Sequence, residues 1–266
     1  MPDINVPLQD PVFLIVLSPP YSGSTALAQL LNTGHHSMLL HRKGEGQWLV
    51  PGMCQADRWD HRKPILWDSV RAVWLAKIRE VEELTGRVDV VIEKSPPNMV
   101  RVNELLKTFP NHQIVTFVRD PFANCSSIFF RHYVKENSPV KDRIATLQHL
   151  ARGWVGRSRL IEQWREERDS VHFSYEDLCS DPSTQVQTIV DRVPKLDGID
   201  IGSPLSVKGY TAQPLTNHNA RQIGRLCEEE LDGIAQVLRK HESMLERLGY
   251  SSDWTRAIDY PARSLQ

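Results

Sequence analysis

The chain has 266 residues, 40% hydrophobic and 24% charged, and 32 basic against 33 acidic side chains give a formal net charge of −1. That balance is the one expected of a soluble globular protein, and it excludes a coiled coil, a collagen-like chain and a disordered tail protein. It also lacks the basic excess of a duplex nucleic-acid binder, while leaving room for a local basic pocket that holds a small anion.

The first element is an apolar run, Val12 to Leu17, of strand length and far short of the ~20 residues that a membrane helix needs. Asp3 and Asp10 flank it and no basic segment precedes it, so no secretory signal and a cytoplasmic location are expected. The turn Ser18-Pro19-Pro20-Tyr21-Ser22-Gly23 leads into a helix predicted from about Ser24 to Asn32. Residues 34–67 hold Gly, His and Trp without clear periodicity, the pattern of a binding loop. A helix over about Asp68–Thr85 comes next, then a second strand, Val88–Glu93. Ser95-Pro96-Pro97-Asn98 follows it, with a helix to about Phe109. A third strand, Gln113–Val118, runs into Arg119-Asp120-Pro121 and a helix to about Tyr133. Helices are expected over Arg143–Arg168, Ser183–Val193 and Asn219–Leu248, the last closed by Gly249, with a weaker strand at Val171–Phe173.

Strands alternating with helices predict an α/β fold with a central parallel sheet flanked by helices, its functional groups gathered at the carboxyl ends of the strands. The chain is read as one domain, residues 1–266. Residues 34–87 form its acceptor-binding insert and residues 216–249 its C-terminal packing helices. The widely spaced Cys54, Cys125, Cys179 and Cys227 are expected to be reduced and mostly buried. With no C-x-x-C or H-E-x-x-H spacing, no metal is expected.

Strand, then Ser22-Gly23-Ser24-Thr25, then helix is the arrangement of an anion site, in which backbone N–H groups, the helix dipole and three hydroxyls converge on a phosphate. Compared with a Walker A loop, Ser18 stands for the first Gly and Ser24 for the Lys, so the usual ATP reading fails at two positions. At the third strand end, Arg119 and Ser127 could jointly hold a second phosphate, Arg119 through its planar fork. The purely structural alternatives are a helix cap at the first turn and an Arg119–Asp120 pair at the third.

Together these segments resemble the PAPS-dependent sulfotransferases. Pro20-Tyr21-Ser22-Gly23-Ser24-Thr25 resembles their 5′-phosphosulfate loop, and Arg119 with Ser127 eight positions later resembles their 3′-phosphate motif. Glu93-Lys94-Ser95-Pro96 is similar to the E-K-[ST]-P segment of the carbohydrate and tyrosylprotein branches. Tyr175-Glu176-Asp177-Leu178 with Asp181-Pro182 is similar to a later Y-E-D-L…D-P segment. The resemblance implies a P-loop-like three-layer fold and transfer of the sulfuryl group of PAPS to an acceptor hydroxyl by in-line displacement, with release of PAP and no metal. It implies that Tyr21, Ser22, Gly23, Ser24 and Thr25 line the 5′-phosphosulfate, that Arg119 and Ser127 hold the 3′-phosphate, and that Tyr175 contacts the adenine. Lys208-Gly209 is a looser match to a late basic-Gly pair at the 3′-phosphate.

At Tyr21 the family usually carries Lys or Arg, and tyrosine holds no positive charge at neutral pH. Lys94 is the natural replacement as the cation beside the departing phosphate. The general base implied by the carbohydrate and tyrosylprotein branches is a Glu after the first helix. Glu45 is the only acidic residue between Asp10 and Asp57, and it stands ahead of His41, His36 and His35 as the candidate. The catalytic set is therefore Lys94, Glu45 and Ser24. Trp48, Trp59, Trp67 and Trp74 could line an acceptor pocket or belong to the core. The acceptor, a small molecule, carbohydrate or lipid, is not named by the sequence, nor is the oligomeric state. Two other readings stay open, a divergent P-loop nucleotide kinase and a non-catalytic PAP or PAPS binder.

Overall fold

The computed structural model describes residues 10–133, 139–207 and 211–258. Five strands form one all-parallel sheet: β1 Val12–Leu17, β2 Ser37–Leu39, β3 Val90–Glu93, β4 His112–Val118 and β5 Ser170–Ser174, in the order β2-β3-β1-β4-β5. Alternate residues of each strand feed opposite faces. Phe13, Ile15, Leu17, Val91, Ile114 and Val118 enter one core, and Leu14, Val16, Val90, Ile92, Val115 and Phe117 enter the other. Burial on both faces is why these strands read as continuous apolar runs.

The first core is covered by α2 Trp67–Thr85, α3 Val102–Thr108, α4 Pro121–His132 and α5 Val140–Glu167, with α9 Glu228–Leu238 and α10 Glu242–Arg247 packed outside. The second is covered by α1 Ser24–Leu31, α6 Tyr175–Ser180 and α7 Pro182–Arg192. Local chemistry explains several boundaries. Asp120 accepts a hydrogen bond from the Ala123 amide at 2.8 Å and Pro121 supplies the first turn, which starts α4 at the end of β4. Ser174 and Asp177 form a reciprocal capping box that starts α6.

The structure departs from the sequence expectations in five places. β2 is a three-residue edge strand inside the segment expected to be irregular, too short to leave a periodic signal. The second strand begins at Val90 rather than Val88. The helix expected from Asn98 to about Phe109 is divided into a 3-10 turn, Pro96–Val100, and α3, because Arg101 between them leaves the helical conformation at φ −145. The single helix expected over Asn219–Leu248 is divided into α8 Asn219–Ile223, α9 and α10, with a 3-10 turn at Arg239–His241. A break follows Gly224, and Glu230 caps the Cys227 amide at 3.0 Å to start α9 afresh. The cysteines are free, but only Cys125 is fully buried, and Cys227 is exposed at that cap. Among the described residues no helix is long and apolar enough to cross a membrane.

Candidate active site

β1 lies between β3 and β4, so the loops leaving these three strands meet at their carboxyl ends. The β1 loop carries two residues in the left-handed backbone region, Gly23 at φ 89 and Tyr21 at φ 66. At Gly23 the conformation suits only glycine. A Cβ there would also fall 2.5 Å from the ring of Tyr175, so the ring closes one side of the loop. At Tyr21 the conformation is strained, and the neighbours hold it. The Pro20 carbonyl accepts from Asn124 Nδ2 at 2.8 Å, the Tyr21 carbonyl accepts from Arg119 Nη1 at 3.2 Å, and the Tyr21 hydroxyl is hydrogen-bonded to His132 Nε2. Asn124 also donates to Ser22 Oγ at 3.3 Å. The hydroxyl-bearing residues Ser22, Ser24 and Thr25 are all buried at the start of α1, and α1 begins immediately after Gly23.

Lys94 leaves the end of β3, only 2% exposed, and its Nζ donates to Thr25 Oγ1 at 3.2 Å and to Glu45 Oε1 at 3.0 Å. The same lysine is thus bound to the β1 loop and to the segment after β2. The second Glu45 oxygen accepts from Gln47 Nε2 at 2.7 Å and from Trp48 Nε1 at 3.1 Å. Burial pushes the Glu45 carboxyl up, but the Lys94 charge and the hydrogen bonds from Lys94, Gln47 and Trp48 outweigh it and hold the group below the usual carboxylate range. Glu45 is therefore an ionised carboxylate beside the buried Lys94. Glu93, one residue before Lys94, is fully buried, and burial pushes its carboxyl up to about 7.

On the other side of the loop Arg119 leaves the end of β4. Its Nε donates to Asn219 Oδ1 at 2.8 Å, its guanidinium lies 4.4 Å from the centre of the Tyr175 ring, and its buried Nη2 has no hydrogen-bond partner. A buried guanidinium with one unsatisfied edge, beside three buried hydroxyl-bearing residues, matches the donor set that a phosphate requires. Behind it Asn219 donates to Glu176 Oε1, while Glu176 also accepts from the Asp120 amide at 3.0 Å and the Tyr250 hydroxyl at 2.8 Å. Burial, then the charge of Glu176, pushes the Asp120 carboxyl up to about 7.

Lys94 thus joins Thr25 to Glu45 on one side of the β1 loop, and Arg119 holds the Tyr21 carbonyl on the other. Ser127 sits half-buried two turns along α4, and Tyr175 is buried against Gly23 and Arg119 with its hydroxyl donating to the Thr216 carbonyl at 2.7 Å. Lys208 and Gly209 lie outside the described residues. Of the alternative bases, His35 faces Asp197 at 3.7 Å and His41 lies 6.5 Å from the Trp48 ring; the bond to Lys94 belongs to Glu45. Trp74 is core, stacked on Phe109 with ring centres 4.9 Å apart, whereas Trp48 is 49% exposed. Asn124, Glu176 and Glu93 stand inside segments that the sequence singled out, yet their side chains drew no role from it. Asn219 lies 100 positions from Arg119 and had no local signal at all. Among the described residues no group of three His, Cys, Asp or Glu side chains could hold a metal ion.

Comparison with known proteins decides the family, for the model of the sulfotransferase family matches residues 11–194, more than two thirds of the chain. The chain belongs to the sulfotransferase family. The matched stretch takes in the β1 loop, Glu45, Lys94, Arg119 and Tyr175. Among solved structures, a sulfotransferase from Alicyclobacillus acidocaldarius is similar in fold, with a TM-score of 0.52 at 14% identity over 93% of this chain and all of that one. A sulfotransferase from Mycobacterium avium gives 0.48 at 15% identity over 89% of this chain and 69% of that one. No curated protein matches the chain at significance.

Proposed function

We propose that this family member transfers the sulfuryl group of PAPS to an acceptor hydroxyl and releases PAP, with the chemistry of the carbohydrate and tyrosylprotein branches. The observation that carries the reading is that one loop is gripped from both sides by buried cations: Lys94 reaches Thr25 at 3.2 Å and Arg119 reaches the Tyr21 carbonyl at 3.2 Å. A nucleotide with two separate phosphate groups matches two cationic subsites so arranged.

PAPS supplies an activated sulfuryl group on a phosphate leaving group. The chain's residues account for the rest. Gly23 and the start of α1 present amides, hydroxyls and the positive end of a helix to the 5′ side. Lys94 holds a fixed positive charge where negative charge builds on the departing phosphate. A preorganised donor of this kind contributes about 2.7–4 kcal/mol. The free edge of Arg119, with Ser127, takes the 3′-phosphate. Glu45 is ionised and accepts the proton of the incoming hydroxyl, and its contact with Lys94 sets the base beside the leaving-group cation. Tyr21 cannot be that cation: it is uncharged and its hydroxyl is bonded to His132. Residues 34–87 form the acceptor side in this reading, with the exposed face of Trp48 next to Glu45.

Thermal unfolding with saturating PAP, ADP or Mg-ATP tests the reading. A ligand at 100 times its Kd adds about 2.7 kcal/mol, which raises the midpoint by several degrees for a chain of this length. A shift with PAP that Arg119→Ala abolishes supports it. A shift with Mg-ATP alone overturns it in favour of a kinase. PAP binding with no sulfate transfer from PAPS across a broad panel of hydroxyl acceptors favours a non-catalytic binder.

A further inference from the structure

Three consecutive residues at the end of β3 grip a four-residue stretch after β2. The Lys94 amide donates to the Gly44 carbonyl at 2.7 Å, Glu93 Oε2 accepts from the Gly46 amide at 2.7 Å, and Ser95 Oγ accepts from the Gln47 amide at 3.3 Å. Glu45 lies between these anchors. The other polar group of Gly46 is held as well, since its carbonyl accepts from Trp74 Nε1 at 3.2 Å. A Cβ on Gly46 would fall 2.7 Å from Glu93 Oε2 and 2.8 Å from both Leu40 and Trp74, so the contact is closed on every side. The remaining Glu93 oxygen accepts from Asn98 Nδ2 at 3.0 Å, which fixes the carboxyl in place.

We propose that Glu93 is a positioning residue for sulfuryl transfer: by holding the Gly46 amide it keeps Glu45 on Lys94, so that base and leaving-group cation stay in one geometry. The proposal rests on the roles given above to Glu45 and Lys94. Glu93 is 0% exposed and its carboxyl oxygens are taken by Gly46 and Asn98, which separates it from a group that acts on substrate. Losing its acceptor would leave a buried Gly46 amide without a partner, and a buried donor in that state drives the segment to rearrange toward water. What the site needs from position 93 is a hydrogen-bond acceptor of this length, rather than a charge. Glutamine can supply one, and methionine cannot.

The test compares Glu93→Met and Glu93→Gln, each alone and with Glu45→Gln, by amide hydrogen exchange, PAP affinity and kcat for PAPS-dependent transfer to the best hydroxyl acceptor found by screening. Glu93→Met is expected to speed exchange in residues 44–48 at least tenfold and to lower kcat at least tenfold, with the Kd for PAP within threefold of wild type. Glu93→Gln is expected to keep both within threefold. In the Glu45→Gln background, Glu93→Met is expected to lower kcat by no more than threefold further. Unchanged exchange in residues 44–48, unchanged kcat, or the full additional loss in the Glu45→Gln background would overturn the proposal. Should Glu93→Met not fold, Gly46→Ala attacks the same contact from the opposite side, with the same outcomes deciding. If the wild type binds no PAP, the nucleotide reading fails by that measurement, and exchange alone judges the grip of Glu93 on Gly46.

Discussion

Replacing Lys94 by methionine keeps an unbranched side chain, one atom shorter, and removes its charge. The wild-type ammonium is 2% exposed and bonded to Glu45 at 3.0 Å and Thr25 at 3.2 Å, so three things change together. The departing phosphate loses its cation, which at about 2.7–4 kcal/mol corresponds to a fall in kcat of about 10²–10³. The Glu45 carboxyl loses its main opposing charge, so burial prevails and its pKa rises. The fold loses charged hydrogen bonds worth about 1–3 kcal/mol, and the midpoint falls at roughly 2–4 °C per kcal/mol. Arg119 and the loop amides are untouched, so PAP affinity should stay within about tenfold. The assay pairs initial rates of PAP release from PAPS with calorimetric titration of PAP, and a melting curve confirms that the variant is folded. A folded variant with kcat within threefold of wild type would refute the argument, because no other buried cation is bonded to both Thr25 and Glu45 among the described residues.

Glu45→Gln removes the proton acceptor and keeps the shape, and kcat is expected to fall at least 10²-fold with little change in PAP affinity; full kcat across the pH range would exclude the base role. Gly23→Ala puts a methyl 2.5 Å from the Tyr175 ring at a backbone φ of 89, so the loop must move, and both a lower midpoint and loss of PAP binding are expected in melting and titration experiments. Glu93 takes up its proton more readily folded than unfolded, because burial, helped by the facing negative charge of Glu45, raises its pKa from the ordinary 4.5 to about 7 despite the bonds from Ser95 and Gly46 and the charge of Lys94. Its contribution to stability is therefore fully present below pH ~4.5 and is lost as pH rises through about 7, a difference on the order of 3 kcal/mol. Glu93→Gln should lose less stability than wild type between pH 5 and 8 in denaturant titrations. Equal losses would show that Glu93 does not titrate in that range.

The β1 loop and the start of α4 are legible in the sequence because each of their parts is local. An apolar run ending at Leu17, a Ser-Gly-Ser-Thr turn and a helix need only twenty residues to show themselves, and the same holds for Val118-Arg119-Asp120-Pro121. β2 stayed hidden because three residues at a sheet edge carry no period. The long C-terminal helix was expected to be unbroken because its apolar spacing runs past Gly224 and Cys227, where capping rather than periodicity sets the boundaries. In the site, Glu45 is singled out by the resemblance, which implies a Glu after the first helix, but its bond to Lys94 spans 49 positions and becomes visible only once β2 and β3 pair. Asn219 and Asn124 escaped because an amide that braces an arginine or a loop carbonyl has no sequence signature of its own.

One long helix carries two indoles ten residues apart that fasten opposite halves of the site. Trp154 Nε1 on α5 donates to the Arg119 carbonyl, and Trp164 Nε1 donates to the Met99 carbonyl beyond Lys94, each at 3.1 Å. At 1.5 Å per residue the two anchors stand about 15 Å apart, and inserting one residue between them would displace one by that rise and turn it by about 100°. The interval from Trp154 to Trp164 is thus a fixed gauge, and chain-length variation among relatives should collect elsewhere, in the loops between β2 and α2 and between α7 and α8. Those loops can change length outside the held residues 44–47 while the spacing between the strand ends that carry Lys94 and Arg119 stays constant.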